Sequence, residues 1–388
     1  MATELVVYIG SQELAKISSL LPSNPKRSTI VHSLVNALGL MGPRYSNSRR
    51  LQVVTPRRAT HKDLAVYHTR DYLAVVLDPS NATAPDGGEK ENSVNSEFGL
   101  EDLTEYVQIV GGATLTAVSA LQQDITDLAI CWDGGRHHAR KSQASGFCYV
   151  ADCILAVLAL KRAIPPSVSA AEGITVQRKP RVMYLDLDLH FSDAVSEAFL
   201  LANSPATPQI LTLSIHHASP GFFPASSQAK LPDINSDFDP FTLSIPLQQG
   251  ASASTYAKIW PLCGVDGLAG DPCATFNWCL GGTEGSLGWC VQRILQEWPG
   301  KKLLLGGGGY NSPNAARAWA YLTSIALRKP LDLETEIPDH AGFPLYGPSF
   351  TLDVPAGNMT DHNTEEYLGS IEVCYENVIL ALRNKLVG

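Results

Sequence analysis

RVMYLDLDLHFSD, residues 181–193, is a nearly continuous apolar run that ends in two carboxylates and an imidazole. A strand that is apolar on both faces is typical of a parallel sheet covered by helices on both sides. Asp186, Asp188 and His190 alternate at the end of this strand, so we expect them on one face. Buried carboxylates need a cation or polar partners, and ligands of open α/β sheets bind beyond the carboxyl ends of strands. The alternative is a salt-bridged structural edge.

Further apolar runs predict the other strands of this sheet, at 5–9, 51–54, 128–132, 210–215, 241–247 and 302–306. Helical patterns alternate with them at 25–39, 103–122, 147–162, 283–297, 313–328 and 364–385. This alternation predicts an α/β fold with a parallel sheet between helices. Two Pro- and Ser-rich stretches, 79–97 and 163–180, are expected to be mobile surface inserts. Because strand–helix units continue on either side of both inserts, we expect a single domain over 1–388.

The composition of the 388-residue chain excludes several classes of protein. With 29 Lys and Arg against 38 Asp and Glu, the net charge is −9 and no basic block stands out, which argues against direct nucleic-acid binding. No apolar run approaches the roughly 18 residues of a membrane span. The start, MATELVVYIG, has no basic region before its short apolar run and predicts a strand rather than a signal peptide. The eight cysteines form no CxxC pair, which favours a reducing intracellular compartment.

Three more polar clusters can carry chemistry. WDGGRHHAR (132–140) follows a predicted strand, and its tandem histidines are acid/base groups, metal ligands or structural residues. GGGGYN (306–311) lacks the Gly-Lys-Ser/Thr of a phosphate loop. Its glycine backbone can instead pass close to a small cavity and place the phenol of Tyr310 where it can donate to an oxyanion. DGLAGDP (266–272) offers Asp266 as a third metal ligand, although such strings are usually turns.

Together these segments resemble the class I zinc-dependent histone deacetylases, most closely their type-8 subgroup. The resemblance rests on segments that span nearly the whole chain: PKRSTIVHSL (25–34), IVGGATLTA (109–117), WDGGRHHARKSQASGFCYV (132–150), YLDLDLHFSDAVSEAF (184–199), HHASPGFFP (216–224), GLAGDP (267–272), LLLGGGGYNSPNAARAW (303–319) and EIPDH (336–340).

The resemblance implies an arginase-like fold, with one eight-stranded parallel sheet between helices and the active site at the carboxyl ends of the strands. It implies a hydrolase that converts N-ε-acetyl-lysine in histones or other proteins to lysine and acetate, and so a regulator of chromatin and transcription. The implied substrates are a histone tail or an acetylated cohesin subunit, with corepressor partners, in the nucleus and cytoplasm.

The resemblance also implies a role for each site residue. Zn²⁺, with which Fe²⁺ could compete, is held by Asp188, His190 and Asp266. His138 moves the proton, His137 supports it, Asp193 and Asp186 orient the two rings, and Tyr310 donates to the oxyanion. The implied K⁺ ligands are Asp186, Ser214 and Ile215, with Phe199 at a second K⁺ site. The channel is lined by Gly146, Phe147, Phe223 and Cys273. Arg27 lines an acetate tunnel; a surface cation at a helix start is the alternative for this residue.

Several departures from the family pattern leave other functions open. Phe191 replaces a second histidine after the ligand His190, Arg136 replaces a bulky apolar residue, and neither Glu101 nor Asp102 can be assigned as the substrate-gripping rim aspartate. Before Asp266, the segment ASASTYAKIWPLCGV (251–265) is shorter than the helix and strand expected there. This gap predicts low stability and weak zinc binding, and a coding segment missing from the sequence would explain it. It favours a catalytically impaired scaffold, while an acetylpolyamine amidohydrolase is the other alternative.

Overall fold

The computed structural model describes residues 4–78, 100–162, 180–201, 209–233, 238–259 and 266–387. The strands are β1 (Glu4–Ile9), β2 (Arg49–Val54), β3 (Leu128–Cys131), β4 (Val182–Asp186), β5 (Ile210–His217), β6 (Thr242–Leu247) and β7 (Lys302–Leu305). The helices are α1 (Gln12–Ser18), α2 (Arg27–Ala37), α3 (His61–Leu64), α4 (Arg70–Val76), α5 (Leu100–Gln122), α6 (Asp152–Leu160), α7 (Asp193–Phe199), α8 (Ala253–Ile259), α9 (Leu287–Glu297), α10 (Ser312–Ala326) and α11 (Glu365–Val387).

The predicted strands and helices all form, whereas α1, α3, α4, α7 and α8 have no counterpart among the predicted helices. The helix expected from 147 begins only at Asp152, because Gly146 and Phe147 adopt left-handed backbone conformations, with φ of 51° and 60°. The expected inserts at 79–97 and 163–180 lie outside the described residues, apart from Pro180. Within the described ranges, no helix combines the length and hydropathy that a membrane-spanning segment requires.

The seven strands form two parallel sheets, with the orders β2-β1-β3-β7 and β4-β5-β6. The expectation of one eight-stranded sheet is therefore wrong for the part of the chain that the structure describes. β4 and β7 each pair on one side only, and an extra strand would have to lie between them to join the two sheets. Residues 260–265, which directly precede Asp266, lie outside the described ranges.

The connection between β6 and Asp266 contains one short helix, α8, of seven residues. That the segment 251–265 is too short for both a helix and a strand stays a prediction, because residues 260–265 are not among the described residues. Tyr256 of α8 is buried and stacks on Trp278, with ring centroids 4.0 Å apart and planes at 14°. Aromatic stacking of this kind holds α8 against the core even though the helix has only two turns.

The parallel direction of the strands places their carboxyl ends at one edge of the molecule. The loops after β3, β4 and β7 begin at this edge and carry residues 134–138, 187–190 and 306–310 respectively. Helix α10 follows the last of these loops. Its N-cap residue, Asn311, accepts a hydrogen bond from the Asn314 amide at 3.1 Å, and a proline stands in the first turn, as is common at helix starts.

Candidate active site

Asp188, His190 and Asp266 converge on a common point beyond the ends of β4 and β7. One ligand atom from each residue lies within 4.8 Å of the other two. Nδ1 of His190 is 3.2 Å from Oδ1 of Asp188 and 3.1 Å from Oδ2 of Asp266. β4 ends at Asp186, so Asp188 and His190 lie in the loop that follows the strand and not in the strand itself. Asp186 and Asp188 both lie beside His137, with Oδ2 of Asp186 2.8 Å from Nδ1 and Oδ1 of Asp188 3.7 Å from Nε2.

The three side chains fit a bound divalent cation. Asp188 and Asp266 are both buried, and burial together with the Asp188 charge raises the pKa of Asp266 well above its ordinary value. Two carboxylates this close cannot both ionise without a compensating positive charge. Two carboxylate oxygens and one imidazole nitrogen form a donor set of the kind that catalytic zinc sites use.

Backbone amides hold these carboxylates in place. Gly308 N donates to Oδ2 of Asp188 at 2.7 Å, and Leu189 N donates to Oδ1 of Asp266. Gly308 is required for this approach, because a Cβ atom at that position would overlap the carboxylates of both Asp188 and Asp266. The glycine run after β7 therefore closes one side of the candidate metal centre.

Each of the tandem histidines donates from Nδ1 to its own buried carboxylate. His137 donates to Oδ2 of Asp186 at 2.8 Å, and His138 donates to Oδ1 of Asp193 at 2.7 Å. The bond to Asp193 keeps the proton of a neutral His138 on Nδ1 and leaves its Nε2 as an acceptor, whereas Nε2 of His137 lies 3.7 Å from Oδ1 of Asp188. Arg140 also donates to Asp193, at 2.7 Å, an interaction that the sequence pattern does not reveal.

The two histidines differ in their electrostatic surroundings. Burial acts to lower the pKa of His137, but the Asp186 and Asp188 carboxylates outweigh it and raise the pKa to about 9. Burial and the charge on His137 lower the pKa of His138 to about 4, against the Asp193 hydrogen bond. His138 is thus the ring that is neutral near pH 7 and can accept a proton on Nε2.

Asp152, at the start of α6, positions the loop that carries the histidines. It accepts hydrogen bonds from Gly135 N at 2.9 Å, Arg136 N at 2.7 Å and the Thr114 hydroxyl at 2.6 Å. Sequence reasoning missed this residue. The sequence offers one indication of its role: Asp152 stands at the start of an otherwise apolar helix, a position where carboxylates commonly bind backbone amides.

Tyr310 stands on a loop that a second unpredicted carboxylate orders. Asp271 accepts hydrogen bonds from Tyr310 N at 2.7 Å and Asn311 N at 3.2 Å. Burial, with the charges of Asp188 and Asp266, raises the pKa of Tyr310 well above its ordinary value. The phenol is therefore protonated near pH 7 and can donate a hydrogen bond.

Phe147 and Phe223, which the sequence predicts as channel walls, lie next to Tyr310 and His138. The two rings are 42% and 45% exposed. Phe223 contacts His138 edge-on, with ring centroids 4.9 Å apart, and Phe147 lies 6.1 Å from the Tyr310 ring. Gly146 passes so close to His138 that a Cβ would overlap its ring. Cys273 is half-buried, and its N donates to Asp271 at 3.0 Å.

Phe222 is an aromatic neighbour that the sequence reading missed. It stacks on the ring of His190, with centroids 5.1 Å apart and planes at 11°. The sequence prediction named only its chain neighbour, Phe223. The folded loop brings the ring of Phe222 against His190, one of the three candidate metal ligands.

The residues suggested for K⁺ lie on two strands and one helix. Asp186 and Ser214 are register partners in β4 and β5, and Ile215 follows in β5. The Ser214 hydroxyl lies 3.1 Å from Nδ1 of His216. Phe199 is buried at the end of α7.

Arg27 lies inside the protein, so the alternative of a surface cation is wrong. It is 3% exposed, donates to the carbonyl of Gly309 at 2.9 Å and lies over the Trp319 ring at 4.8 Å. Arg136 is also buried and donates to the carbonyl of Asp133 at 3.1 Å. The guanidinium groups of Arg27 and Arg136 thus lie in the interior, next to the loops that carry the tandem histidines and the glycine run.

Comparisons with known proteins agree with this geometry. Residues 21–326 match the model of the histone deacetylase domain. The chain is 34% identical to histone deacetylase 8 of Xenopus tropicalis, over 97% of this chain and 99% of that protein. It is 33% identical to histone deacetylase 8 of Danio rerio, over 99% and 96%, and 31% identical to histone deacetylase 1 of Homo sapiens, over 90% and 70%.

Proposed function

This chain belongs to the histone deacetylase family, with the arginase-like α/β fold of that family, and we propose that it hydrolyses N-ε-acetyl-lysine in a protein substrate to lysine and acetate. The observation that carries the proposal is the convergence of Asp188, His190 and Asp266 beside two carboxylate-paired histidines. We take residues 1–388 to act as one catalytic domain.

Each side chain has a distinct task in this proposal. A divalent cation, when bound by Asp188, His190 and Asp266, supplies the positive charge that polarises the acetyl carbonyl and lowers the pKa of water. Nε2 of His138 accepts the proton of the attacking water and later passes it to the departing amine. Tyr310 donates its phenol proton as a hydrogen bond to the developing oxyanion.

The remaining polar residues position these groups. Asp193 holds the His138 ring with Nε2 directed away from the carboxylate, and Asp186 does the same for His137. We assign Zn²⁺ as the native metal and K⁺ to the site formed by Asp186, Ser214 and Ile215, with Phe199 at a second K⁺ site. The register pairing of Asp186 with Ser214 supports the first of these assignments.

The approach to the centre suits a neutral, mostly apolar side chain. Acetyl-lysine presents four methylenes and one amide, which match a wall formed by Phe147 and Phe223 with the Gly146 carbonyl as acceptor. The lysine side chain of the product is charged, so it dissociates readily from these apolar surroundings. We propose that Cys273 lines the same channel and that Arg27 lines the exit of acetate, an anion.

Histone tails and acetylated cohesin are the substrates that we propose, in the nucleus and the cytoplasm, with corepressor partners. The relatives in the comparison are named as histone deacetylases, which favours the first substrate. A catalytically impaired scaffold is not favoured, because the histidines, their carboxylates and Tyr310 keep a geometry suited to catalysis. An acetylpolyamine amidohydrolase is not favoured either.

The test is hydrolysis of three acetylated compounds by the same metal-loaded protein. The protein is stripped by chelation, dialysed and reloaded with Zn²⁺ or Fe²⁺, and the acetate released from an acetylated histone-tail peptide, an acetylated cohesin peptide and an acetylpolyamine is measured. We expect no turnover without metal and a kcat/KM at least tenfold higher for a peptide than for the polyamine. Equal rates with and without metal, or preference for the polyamine, would refute the proposal.

A further inference from the structure

The carboxylate of Asp193, which orients His138, is itself held by an arginine from a different loop. Asp193 lies at the start of α7 and is buried, and its Oδ1 accepts the hydrogen bond from Nδ1 of His138 at 2.7 Å. Its Oδ2 accepts a hydrogen bond from Nη2 of Arg140, also at 2.7 Å. Among the described residues, Arg140 is the one side chain that donates to this second oxygen.

The carboxylate that orients the other histidine, His137, is held by residues close to it in the chain. Oδ2 of Asp186 accepts from the hydroxyl of Tyr184 as well as from His137, and Oδ1 accepts from Asp188 N at 2.9 Å. These two local donors lie within two residues of Asp186. The support of Asp193 comes instead from the loop after β3, 53 residues earlier in the chain.

The guanidinium of Arg140 bonds two carboxylates at once. Its Nη1 donates to Glu197, which lies one helical turn after Asp193 in α7. Two like charges four residues apart on a helix repel each other, and the planar fork of an arginine has donors for both. The Glu197 side chain is 59% exposed, so its arm of the fork contributes little. The arm to Asp193 ends on a buried oxygen.

The backbone around Arg140 is anchored without the help of this side chain. Arg140 N donates to the carbonyl of Gln143 at 3.0 Å, and the carbonyl of Lys141 accepts from Thr69 N at 3.0 Å. The loop therefore has its own attachments to the fold. We expect removal of the guanidinium to leave the loop in place and to act on Asp193.

The charges around Asp193 give Arg140 a second effect. Burial acts to raise the pKa of Asp193, but the hydrogen bond and charge of His138, the charge of Arg140 and that of His137 outweigh it and lower the pKa. Because His138 is the ring that is neutral near pH 7, the permanent charge of Arg140 then compensates most directly for the burial of this carboxylate.

We propose that Arg140 is a positioning residue for deacetylation, which holds Oδ2 of Asp193 and thereby fixes the orientation of the His138 ring. This inference rests on the proposed function, because it takes His138 as the general base. Without the arginine, the Asp193 carboxylate is free to rotate, and Nε2 of His138 points at the attacking water in a smaller fraction of molecules. The walls of the channel, Phe147 and Phe223, stay in place, so substrate binding is unchanged.

The competing interpretation is an ordinary surface ion pair. The side chain of Arg140 is 35% exposed, and many ion pairs at the surface contribute nothing measurable. In that case removal of the guanidinium changes the thermal midpoint slightly and leaves the chemical step as it was. The burial of Asp193 favours the positioning role, because its Oδ2 has little access to water that could replace the arginine.

The kinetic experiment compares Arg140→Met with Arg57→Met on an acetyl-lysine peptide at equal metal content. Arg57 is the matched control, because it makes a similar fork to a surface carboxylate, Asp63, at 2.6 and 3.1 Å. We expect kcat to fall about tenfold or more in Arg140→Met, as is typical of residues that orient catalytic groups, with KM within about twofold of wild type. We expect no change in either parameter in Arg57→Met.

A double variant tests whether Arg140 acts through Asp193. In the Asp193→Asn background, the further change Arg140→Met should lower kcat by less than about twofold, because residues that act as one unit have non-additive effects. Additive losses in the double variant would overturn the proposal. So would a rise in KM that accounts for the whole effect of Arg140→Met, since that would show a displaced channel wall.

A spectroscopic measurement tests the same contact without turnover. The Nδ1 protons of His137 and His138, each bound to a carboxylate, are followed by NMR in metal-loaded protein with ¹⁵N-labelled histidine. In Arg140→Met we expect the His138 resonance to shift or broaden through faster exchange, while the His137 resonance, an internal control, stays as in wild type. If Arg140→Met does not fold, Arg140→Gln takes its place with the same expectations.

An unchanged His138 resonance would overturn the proposal, and so would equal shifts of both resonances, which would indicate a general disturbance of the site. A wild-type protein without turnover would refute the proposed function, whereas the two resonances would still decide whether Arg140 holds Asp193 and His138.

Discussion

Nδ1 of His138 lies 2.7 Å from Oδ1 of Asp193, and the second oxygen of that carboxylate accepts a hydrogen bond from Arg140 at 2.7 Å. In the neighbouring pair, the Asp186 oxygen that faces His137 also accepts from the hydroxyl of Tyr184, and its other oxygen accepts from Asp188 N at 2.9 Å. Asp193 therefore holds His138 with one oxygen and is itself fixed by the other. This arrangement directs Nε2 of His138 away from Asp193.

Replacing Asp193 by Asn should lower kcat about 100-fold, because the amide no longer fixes the proton on Nδ1 of His138. The variant is compared with the wild-type protein on an acetyl-lysine peptide at matched metal content. Glu197→Gln is the control, since Glu197 is the other, exposed partner of Arg140 and we expect less than a twofold change. Equal effects of the two substitutions would show that Asp193 acts only through Arg140.

His138→Ala should reduce kcat more than His137→Ala does. The pKa of His138 is lowered to about 4 and that of His137 is raised to about 9, so only His138 is a free base near pH 7. Both variants are assayed in single-turnover experiments with equal metal loading, which separates chemistry from product release. A larger loss in His137→Ala would require the two roles to be exchanged.

Tyr310→Phe should keep the fold and the metal but lose about 100- to 1,000-fold in kcat, because one donor to the oxyanion is removed. Metal content and the thermal midpoint are expected to stay unchanged, since the backbone of this loop is held by Asp271. Tyr45→Phe is the matched control, because its hydroxyl bonds a distant surface carbonyl. Wild-type rates in Tyr310→Phe under chemistry-limited conditions would contradict the assigned role.

Gly308→Ala should weaken metal binding by at least about tenfold, an effect typical of changes to groups that orient metal ligands. A Cβ there overlaps the carboxylates of Asp188 and Asp266. Competition with a fluorescent chelator measures the affinity without any substrate. Gly369→Ala in α11, where a Cβ meets nothing within 4 Å, is the control. Unchanged affinity in Gly308→Ala would place the metal elsewhere.

Stability should fall as the pH drops from about 6.5 toward 4. Burial lowers the pKa of His68 from 6.5 to about 4. Between these pH values His68 is protonated in the unfolded chain but neutral in the folded protein, so the free energy of unfolding falls with the pH. The stability that comes from keeping His68 neutral is fully present above pH 6.5. Its loss by pH 4 lowers the free energy of unfolding by an amount on the order of 3 kcal/mol.

The check is the thermal midpoint of wild type and His68→Gln at pH 7.5 and 5. Glutamine can still accept from Ala151 N and donate to the Lys141 carbonyl, as His68 does, but it does not titrate. We expect a smaller loss of midpoint on acidification in the variant. The same loss in both proteins would refute the assignment to His68.

Hydrophobic patterning and the position of polar residues at strand ends were enough to predict the α/β class, all seven strands and the three loops that form the site. Apolar runs that are covered on both faces leave few other options, and the parallel direction brings the ends of strands to one edge. Asp266 was different, because its sequence context is that of a turn. Its proximity to His190 depends on how two loops that are distant in the sequence pack together.

Only the tertiary structure revealed the groups that act at a distance along the chain. Asp152, Asp271, Phe222 and Arg140 are ordinary residues in sequence, and each contacts the site through a loop or helix end that no local pattern specifies. The same holds for the separation of β4 from β7. Pairing between strands is a long-range property, because the backbone groups at the edge of a strand find hydrogen-bond partners only in residues far away in the chain. The sequence by itself therefore determined which segments become strands and which carry chemistry, while the folded structure decided which of them meet.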